Sequence, residues 1–214
     1  SMFYAVGVGP LITAETRDLL ISMFDLCSGI SVRDQRSREI ILSFIEKHQY
    51  LMEKIVLASD PAFSIDTDTI SDNECINFES FGKDRKKLAV SLRYWDFGQA
   101  QSAWEQETAY ALDALVAEDD YYVVFIPFQA NKGRILEDDY EVCERVRNCM
   151  ANQSAVYLHK DKLTIHQCIS MLKSCDAVLG MRYHSVLLAL KEGIPVVGLE
   201  YDPKIRSIFA EYDQ

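Results

Sequence analysis

The sequence predicts an α/β fold of Rossmann-like parallel sheets covered by helices, divided into two domains of which the N-terminal one is incomplete. Three observations carry this reading. Short apolar runs of strand length alternate with helical stretches along most of the chain. Between Asp176 and Leu199 a strand, a helix and a strand follow one another with almost no loop, a βαβ unit in which parallel pairing and a right-handed crossover are expected. The alternation lapses once, between about Ser64 and Arg85, into polar and acidic residues with no sustained period.

The elements follow in order. Phe3 to Pro10 opens the chain as a strand with no element before it. A helix is expected across Thr16 to Cys27, a strand at Gly29 to Val32, a helix from about Gln35 to Lys47, and a strand at Lys54 to Ala58. This βαβαβ run makes residues 1–64 the remaining part of an N-terminal Rossmann-like domain, and 65–85 the linker. Alternation then resumes over 86–214, the C-terminal Rossmann-like domain. Strands are expected at Lys87 to Arg93, Tyr121 to Phe128, Ala155 to Leu158, Asp176 to Gly180 and Ile194 to Leu199. Helices are expected at about Ala100 to Glu118, Asp139 to Ala151, Ile165 to Lys173, Val186 to Glu192 and Pro203 to Glu211.

Composition narrows the class. A chain of 214 residues with 49% hydrophobic content can bury a real core, which excludes disorder. The net charge of −11 argues against a nucleic-acid partner, and any anion site must be a local exception to it. Six cysteines, Cys27, Cys75, Cys143, Cys149, Cys168 and Cys175, contain no CxxC pair and read as reduced thiols of a cytoplasmic protein, with neither a metal site nor a disulfide frame. No apolar run approaches the ~20 residues that cross a bilayer.

Parallel sheets bind ligands beyond the carboxyl ends of their strands. In the second domain those positions hold Arg93-Tyr94-Trp95, Gln129-Ala130-Asn131-Lys132, His159-Lys160-Asp161, Arg182-Tyr183-His184 and Tyr201-Asp202-Pro203-Lys204. All five clusters carry Arg or Lys in an acidic protein, which points to a small anionic ligand. Arg182 and His184 are the sharpest pair. If 181 to 184 continue the strand, the two side chains point the same way, just ahead of a helix starting near Ser185 whose N-terminal end favours anions. Arg supplies a fork for carboxylate or phosphate, and His exchanges protons near neutrality. The plain alternatives are an Arg serving as an ion-pair partner, a His satisfied by a polar neighbour, Arg93 stacked on an aromatic ring, and Lys204 in solvent. Pro203 suits the first position of a helix with Asp202 near its cap, and Asp138-Asp139 suit a helix N-terminus better than a metal site.

Six segments, taken in order, resemble the polysaccharide pyruvyl transferase family: Ile30-Ser31-Val32-Arg33-Asp34-Gln35-Arg36-Ser37; Ser59-Asp60-Pro61-Ala62-Phe63; Val90-Ser91-Leu92-Arg93-Tyr94-Trp95; Ile126-Pro127-Phe128 with Asp138-Asp139; Leu179-Gly180-Met181-Arg182-Tyr183-His184-Ser185; and Tyr201-Asp202-Pro203-Lys204. The resemblance implies two Rossmann-like domains in a GT-B-like arrangement. It also implies transfer of the enolpyruvyl unit of phosphoenolpyruvate to a sugar of a cell-surface or exopolysaccharide precursor, giving a cyclic pyruvate ketal and phosphate. Carried over, Arg93 and Arg182 hold the donor's carboxylate and phosphate, Lys204 adds charge at the phosphate, and His184 is the general acid/base; no metal or other cofactor is implied. The acceptor would be a glycan or a lipid-linked saccharide, met in the cytoplasm or at the inner face of the membrane. Tyr183 stands where the family commonly has Leu, and is expected to face away from the ligand. The family's opening strand and Gly-rich loop are absent, and the chain ends near the helix after Lys204, so the sequence reads as part of a longer protein. Two other readings stay open: a GT-B-like glycosyltransferase whose cations bind a nucleotide-sugar diphosphate, and a non-catalytic fragment that self-associates, as a homodimer, through the exposed Phe3 to Val8 edge.

Overall fold

The computed structural model describes residues 1–9, 13–70, 76, 81–95, 100–130, 133 and 138–212. The chain divides into two compact units, Ser1–Ile65 with Arg206–Gln214, and Asp66–Ile205. Residues 206–212 therefore group with the first unit, whereas the sequence reading assigns them to the second domain.

In the first unit, β1 (Met2–Val6), β2 (Gly29–Val32) and β3 (Ile55–Leu57) form a parallel sheet in the order β1-β2-β3. Helix α1 (Ala14–Asp25) is capped by Thr13, whose hydroxyl accepts from Thr16 N–H, and α2 (Gln35–Leu42) by Asp34, which accepts from Ser37 N–H. α2 stops five residues short of the expected Lys47. The Ser43 hydroxyl donates to Ile40 O at 2.7 Å, a local bond that competes with helix continuation, and a short helix α3 (Gln49–Met52) follows. The core of this unit gathers Phe24, Ile30, Val32, Ile41, Ile45 and Leu51. β1 and β3 are the edges of this sheet, with Met2, Tyr4, Val56 and Leu57 exposed.

The second unit is a five-stranded parallel sheet. β4 (Lys86–Ser91), β5 (Tyr121–Phe125), β6 (Val156–Leu158), β7 (Ala177–Gly180) and β8 (Val196–Gly198) lie in the order β6-β5-β4-β7-β8. The connecting helices are α4 (Gln101–Glu118), α5 (Asp139–Cys149), α6 (Ile165–Lys173) and α7 (Tyr183–Lys191). α8 (Pro203–Glu211) follows β8. The central strands are near-continuous apolar runs, as a sheet covered on both faces requires: Ala89, Val90, Val123, Val124 and Phe125 have no exposed surface. α7 buries Tyr183, Ser185, Val186, Leu187, Leu188 and Ala189, and so reads as apolar nearly all round. α6 starts with a reciprocal capping box between Thr164 and Gln167.

This strand order has a consequence for function. The chain runs outward from β4 through β5 to β6, then returns to the other side of β4 to lay down β7 and β8. The order reverses between β4 and β7, and the crevice beyond their carboxyl ends is where such sheets receive ligands.

The five described cysteines are free thiols, of which Cys27, Cys143, Cys168 and Cys175 are buried. Burial pushes the Cys168 and Cys175 thiols up to about 12, so they behave as small apolar side chains.

Two glycines give opposite expectations. A Cβ on Gly180, the last residue of β7, would meet Val186 Cγ2 at 2.7 Å and Ser185 Oγ at 2.8 Å, so Gly180→Ala pushes β7 and the start of α7 apart. We expect a loss of ~1–3 kcal/mol in urea unfolding. At Gly29 nothing lies within 4 Å of the added Cβ. Gly29→Ala is expected to be neutral or stabilising by up to ~1 kcal/mol in the same measurement, because it restricts the unfolded chain.

Candidate functional site

At the switch point the two strands are tied together to their ends. Ser91 is in register with Gly180, and the Met181 N–H donates to Ser91 O at 2.7 Å. Arg93 lies two residues beyond the end of β4, and Arg182 two residues beyond the end of β7. Adjacent strand ends thus deliver two guanidinium groups to one edge of the sheet.

The turn after β7 differs from the sequence reading. Residues 181 to 184 do not continue the strand: Arg182 is the N-cap of α7, with extended backbone (φ −78°, ψ 133°), and Tyr183 is already helical. The Arg182 carbonyl accepts from Ser185 N–H at 3.0 Å, Val186 N–H at 3.3 Å and the Ser185 hydroxyl at 2.7 Å, which winds the helix two residues earlier than expected. Strand alternation therefore does not relate Arg182 to His184. Tyr183 is buried, and His184 stands exposed on the first turn of α7, its ring edge-to-face with that of Tyr183 at 5.4 Å.

Arg182 is held by Asp139, the first residue of α5 after its N-cap, Asp138. Arg182 Nε donates to Asp139 Oδ2 at 2.9 Å and Oδ1 at 3.1 Å, and Nη2 donates to Oδ1. This side-on, two-pronged contact is the geometry of an ionised carboxylate facing a guanidinium. Asp139 has no exposed surface. Its carboxylate also accepts from Gln129 N–H at 3.0 Å, and its own N–H donates to Gln129 O at 2.8 Å. Burial pushes the Asp139 carboxyl above its ordinary value, while the hydrogen bonds and charge of Arg182, the Gln129 N–H and the charge of Arg93 pull it down. Arg93 and Arg182 thus act on the same carboxylate.

Arg93 and Lys204 meet on aromatic surface. Arg93 Nη1 donates to the Tyr201 hydroxyl at 3.0 Å, and its guanidinium carbon lies 5.0 Å from the Tyr201 ring centroid and 5.9 Å from that of Trp95. Trp95 and Tyr201 pack edge-to-face at 4.7 Å, and Lys204 Nζ lies 5.1 Å from the Tyr201 ring. Tyr201 therefore carries two cations, Arg93 from beyond β4 and Lys204 from the start of α8. Pro203 opens α8, and the Asp202 carboxylate accepts from Lys204 N–H at 2.9 Å, so Asp202 caps the turn that presents Lys204.

A second buried carboxylate braces this side. Trp95 N–H donates to Gln101 Oε1 at 3.0 Å, Trp104 Nε1–H donates to Trp95 O at 2.7 Å, and Gln101 Nε2 donates to Glu105. Glu105, 4% exposed, is gripped by Arg145 through Nε at 3.0 Å and Nη2 at 2.7 Å. The segment carrying Arg93 is thereby fastened to α4 and α5.

The structure thus gathers Arg93, Lys204, Trp95 and Tyr201, and joins Arg182 to Asp139 beside them; His184 lies at the head of α7. Asn131 and Lys132 lie outside the described residues. His159, after β6, accepts or donates at 3.0 Å to the Tyr157 hydroxyl, and burial lowers its pKa against the pull of Asp161. Sequence reasoning singled out neither Glu105 nor Arg145, and placed Asp139 as a helix-start residue within one of the family-like segments, with no partner. No local signal marks pairs separated by 40 and 43 residues, although an Asp beyond a cap or a Glu within a helix is available for one. Among the described residues no three His, Cys, Asp or Glu side chains converge as a metal site, and no helix is long and apolar enough to cross a membrane.

Comparison with known proteins follows the same lines. The model of the family "Polysaccharide pyruvyl transferase" matches residues 1–203. The chain is 21% identical over 210 residues to the amylovoran biosynthesis protein AmsJ of Erwinia amylovora, covering 94% of this chain and 49% of AmsJ. Among solved structures it is similar to the S. aureus MnaA–UDP co-structure, with a TM-score of 0.64 and 16% identity over 88% of this chain and 47% of that one. It is also similar to the Methanocaldococcus jannaschii UDP-GlcNAc 2-epimerase in complex with UDP-GlcNAc and UDP, with a TM-score of 0.58 and 12% identity over 87% of this chain and 49% of that one. The chain spans about half the length of these relatives. The structural likeness is one of fold, GT-B-like parallel α/β. By sequence, the chain belongs to the polysaccharide pyruvyl transferase family.

Proposed function

We propose that the switch-point edge of the second unit is the donor site of a pyruvyl transferase, acting on a sugar of a cell-surface or exopolysaccharide precursor. What supports this most is the delivery of Arg93 and Arg182 to one edge by adjacent strands, with Lys204 beside them, in a protein whose net charge is −11. Family membership and the likeness to an exopolysaccharide biosynthesis protein point the same way.

In this reading Arg93 and Arg182 hold the carboxylate and phosphate of phosphoenolpyruvate, and Lys204 adds charge at the phosphate. His184 gives a proton to the methylene carbon, which becomes a methyl group. The neighbouring carbon gains oxocarbenium character, and a sugar hydroxyl adds to it. Phosphate departs, and a second hydroxyl of the same sugar closes the cyclic ketal. Of the two hydroxyl protons lost, one ends on the methyl group and the other on phosphate. Developing positive charge at carbon is tolerated because the anionic donor is held by fixed cations, and one imidazole can serve both proton transfers in turn. The acceptor is a glycan or lipid-linked saccharide, presented in the cytoplasm or at the inner face of the membrane.

A nucleotide-sugar reading has one observation in its favour: the structural neighbours are described with UDP or UDP-GlcNAc bound. The same cations would then take a diphosphate. Titration calorimetry separates the two readings. Phosphoenolpyruvate is expected to bind the chain and UDP not to; the reverse result assigns the site to a nucleotide diphosphate.

The roles separate by kinetics. Arg182→Ala is expected to weaken phosphoenolpyruvate binding about tenfold to a hundredfold, the loss of charge-assisted hydrogen bonds. His184→Ala is expected to leave that binding within about twofold and to slow phosphate release from phosphoenolpyruvate in the presence of acceptor by ~10²–10⁴-fold. Unchanged turnover in both variants would remove the assignment.

A further inference from the structure

The Asp139–Arg182 pair is built differently from an ordinary surface bridge. Its carboxylate has no exposed surface, while the Arg182 side chain keeps 16% of its own. Asp139 is anchored on both sides before it meets Arg182: it belongs to the first turn of α5, and it exchanges two hydrogen bonds with the Gln129 backbone beyond β5. A carboxylate fixed to two elements holds the guanidinium leaving a third, β7.

The contact consumes Nε–H and one N–H of Nη2. Of the five guanidinium donors, both on Nη1 and one on Nη2 remain, and these form the end-on fork that matches a planar carboxylate. A free Arg loses roughly 2 kcal/mol of rotamer freedom when immobilised by a ligand. Here Asp139 has immobilised it beforehand. The same contact sets Asp139's charge against that of Arg182, leaving Arg93 and Lys204 as the cations that attract an anion from a distance. Asp139 therefore favours orientation and opposes bulk anion affinity. Stability alone does not account for such a pair, because an apolar pair of similar volume commonly stabilises a core as well or better.

We infer that Asp139 is a positioning residue of the donor site, turning the end-on fork of Arg182 toward the carboxylate of the ligand. The inference rests on the reading of Arg182 as a donor ligand. Its signature is discrimination between anions. A planar carboxylate needs the fork aimed at it, whereas inorganic phosphate, close to spherical, responds chiefly to charge.

The test is calorimetric titration of the chain with phosphoenolpyruvate and, separately, with inorganic phosphate. Asp139→Asn keeps the side-chain shape and one acceptor and removes the charge. We expect the ratio of the two dissociation constants to move against phosphoenolpyruvate by about tenfold, the worth of one well-aimed charge-assisted hydrogen bond. A structural role alone would move the melting temperature, or both affinities together, and leave the ratio where it was. An unchanged ratio in folded Asp139→Asn overturns the inference while the donor site stands. If Asp139→Asn does not fold, Arg182→Lys decides: it keeps the ion pair but has no fork, and the same shift in ratio is expected, an unchanged ratio overturning the inference. A wild-type chain with no affinity for phosphoenolpyruvate overturns the donor-site reading and the inference with it.

Discussion

A carboxylate buried without exposed surface has to be compensated, and the way Asp139 is compensated organises the carboxyl edge of the second unit. Its partners are the Gln129 backbone and the Arg182 guanidinium, so the chain segments after β5 and β7 and the start of α5 meet at one group. Removing either charge would leave the other in a poorly solvated place, at a cost of roughly 3–5 kcal/mol. The segments are therefore held in register by an interaction that has no partial form.

The fold creates the place for that interaction. Parallel pairing aligns the carboxyl ends of all five strands on one edge, and the reversal between β4 and β7 opens a crevice there. Apolar strands such as Ala89–Val90 and Val123–Phe125 leave no polar partners within the layers, so charged side chains such as Arg93 and Arg182 lie beyond the strand ends. Two bracing systems then act side by side. Asp139 immobilises Arg182, and the Trp95–Gln101–Glu105–Arg145 chain of hydrogen bonds immobilises the segment that bears Arg93. Tyr201 completes the surface by presenting its ring to Arg93 and Lys204.

Two of the plain alternatives weighed from the sequence are realised in the structure, and both are compatible with the proposed site. Arg182 is an ion-pair partner, and Arg93 is stacked on aromatic rings. Neither contact consumes the whole guanidinium, and both restrict its motion. Pre-orientation of a ligand-binding Arg takes this same form, so the presence of a protein partner is no argument against function.

Much of this was legible in the residues. Apolar runs and helical periods identify the alternating elements, because burial of one face is a local property of sequence. The positions beyond the strands put Arg93, Arg182, His184 and Lys204 forward as candidates, because parallel topology converts chain order into a shared edge. Segment ends were less legible: Ser43 ends α2 early and the Arg182 carbonyl starts α7 early, both through hydrogen bonds that compete with the apolar pattern. What only the tertiary structure decided is who faces whom. The pairing of Asp139 with Arg182, of Glu105 with Arg145, and of Tyr201 with two cations joins residues tens of positions apart, and no periodicity encodes such a meeting. The sequence by itself determined the parallel α/β class, the family and the residues available at the edge. The three-dimensional packing decided their orientation, because a guanidinium takes its direction from the buried carboxylate that holds it.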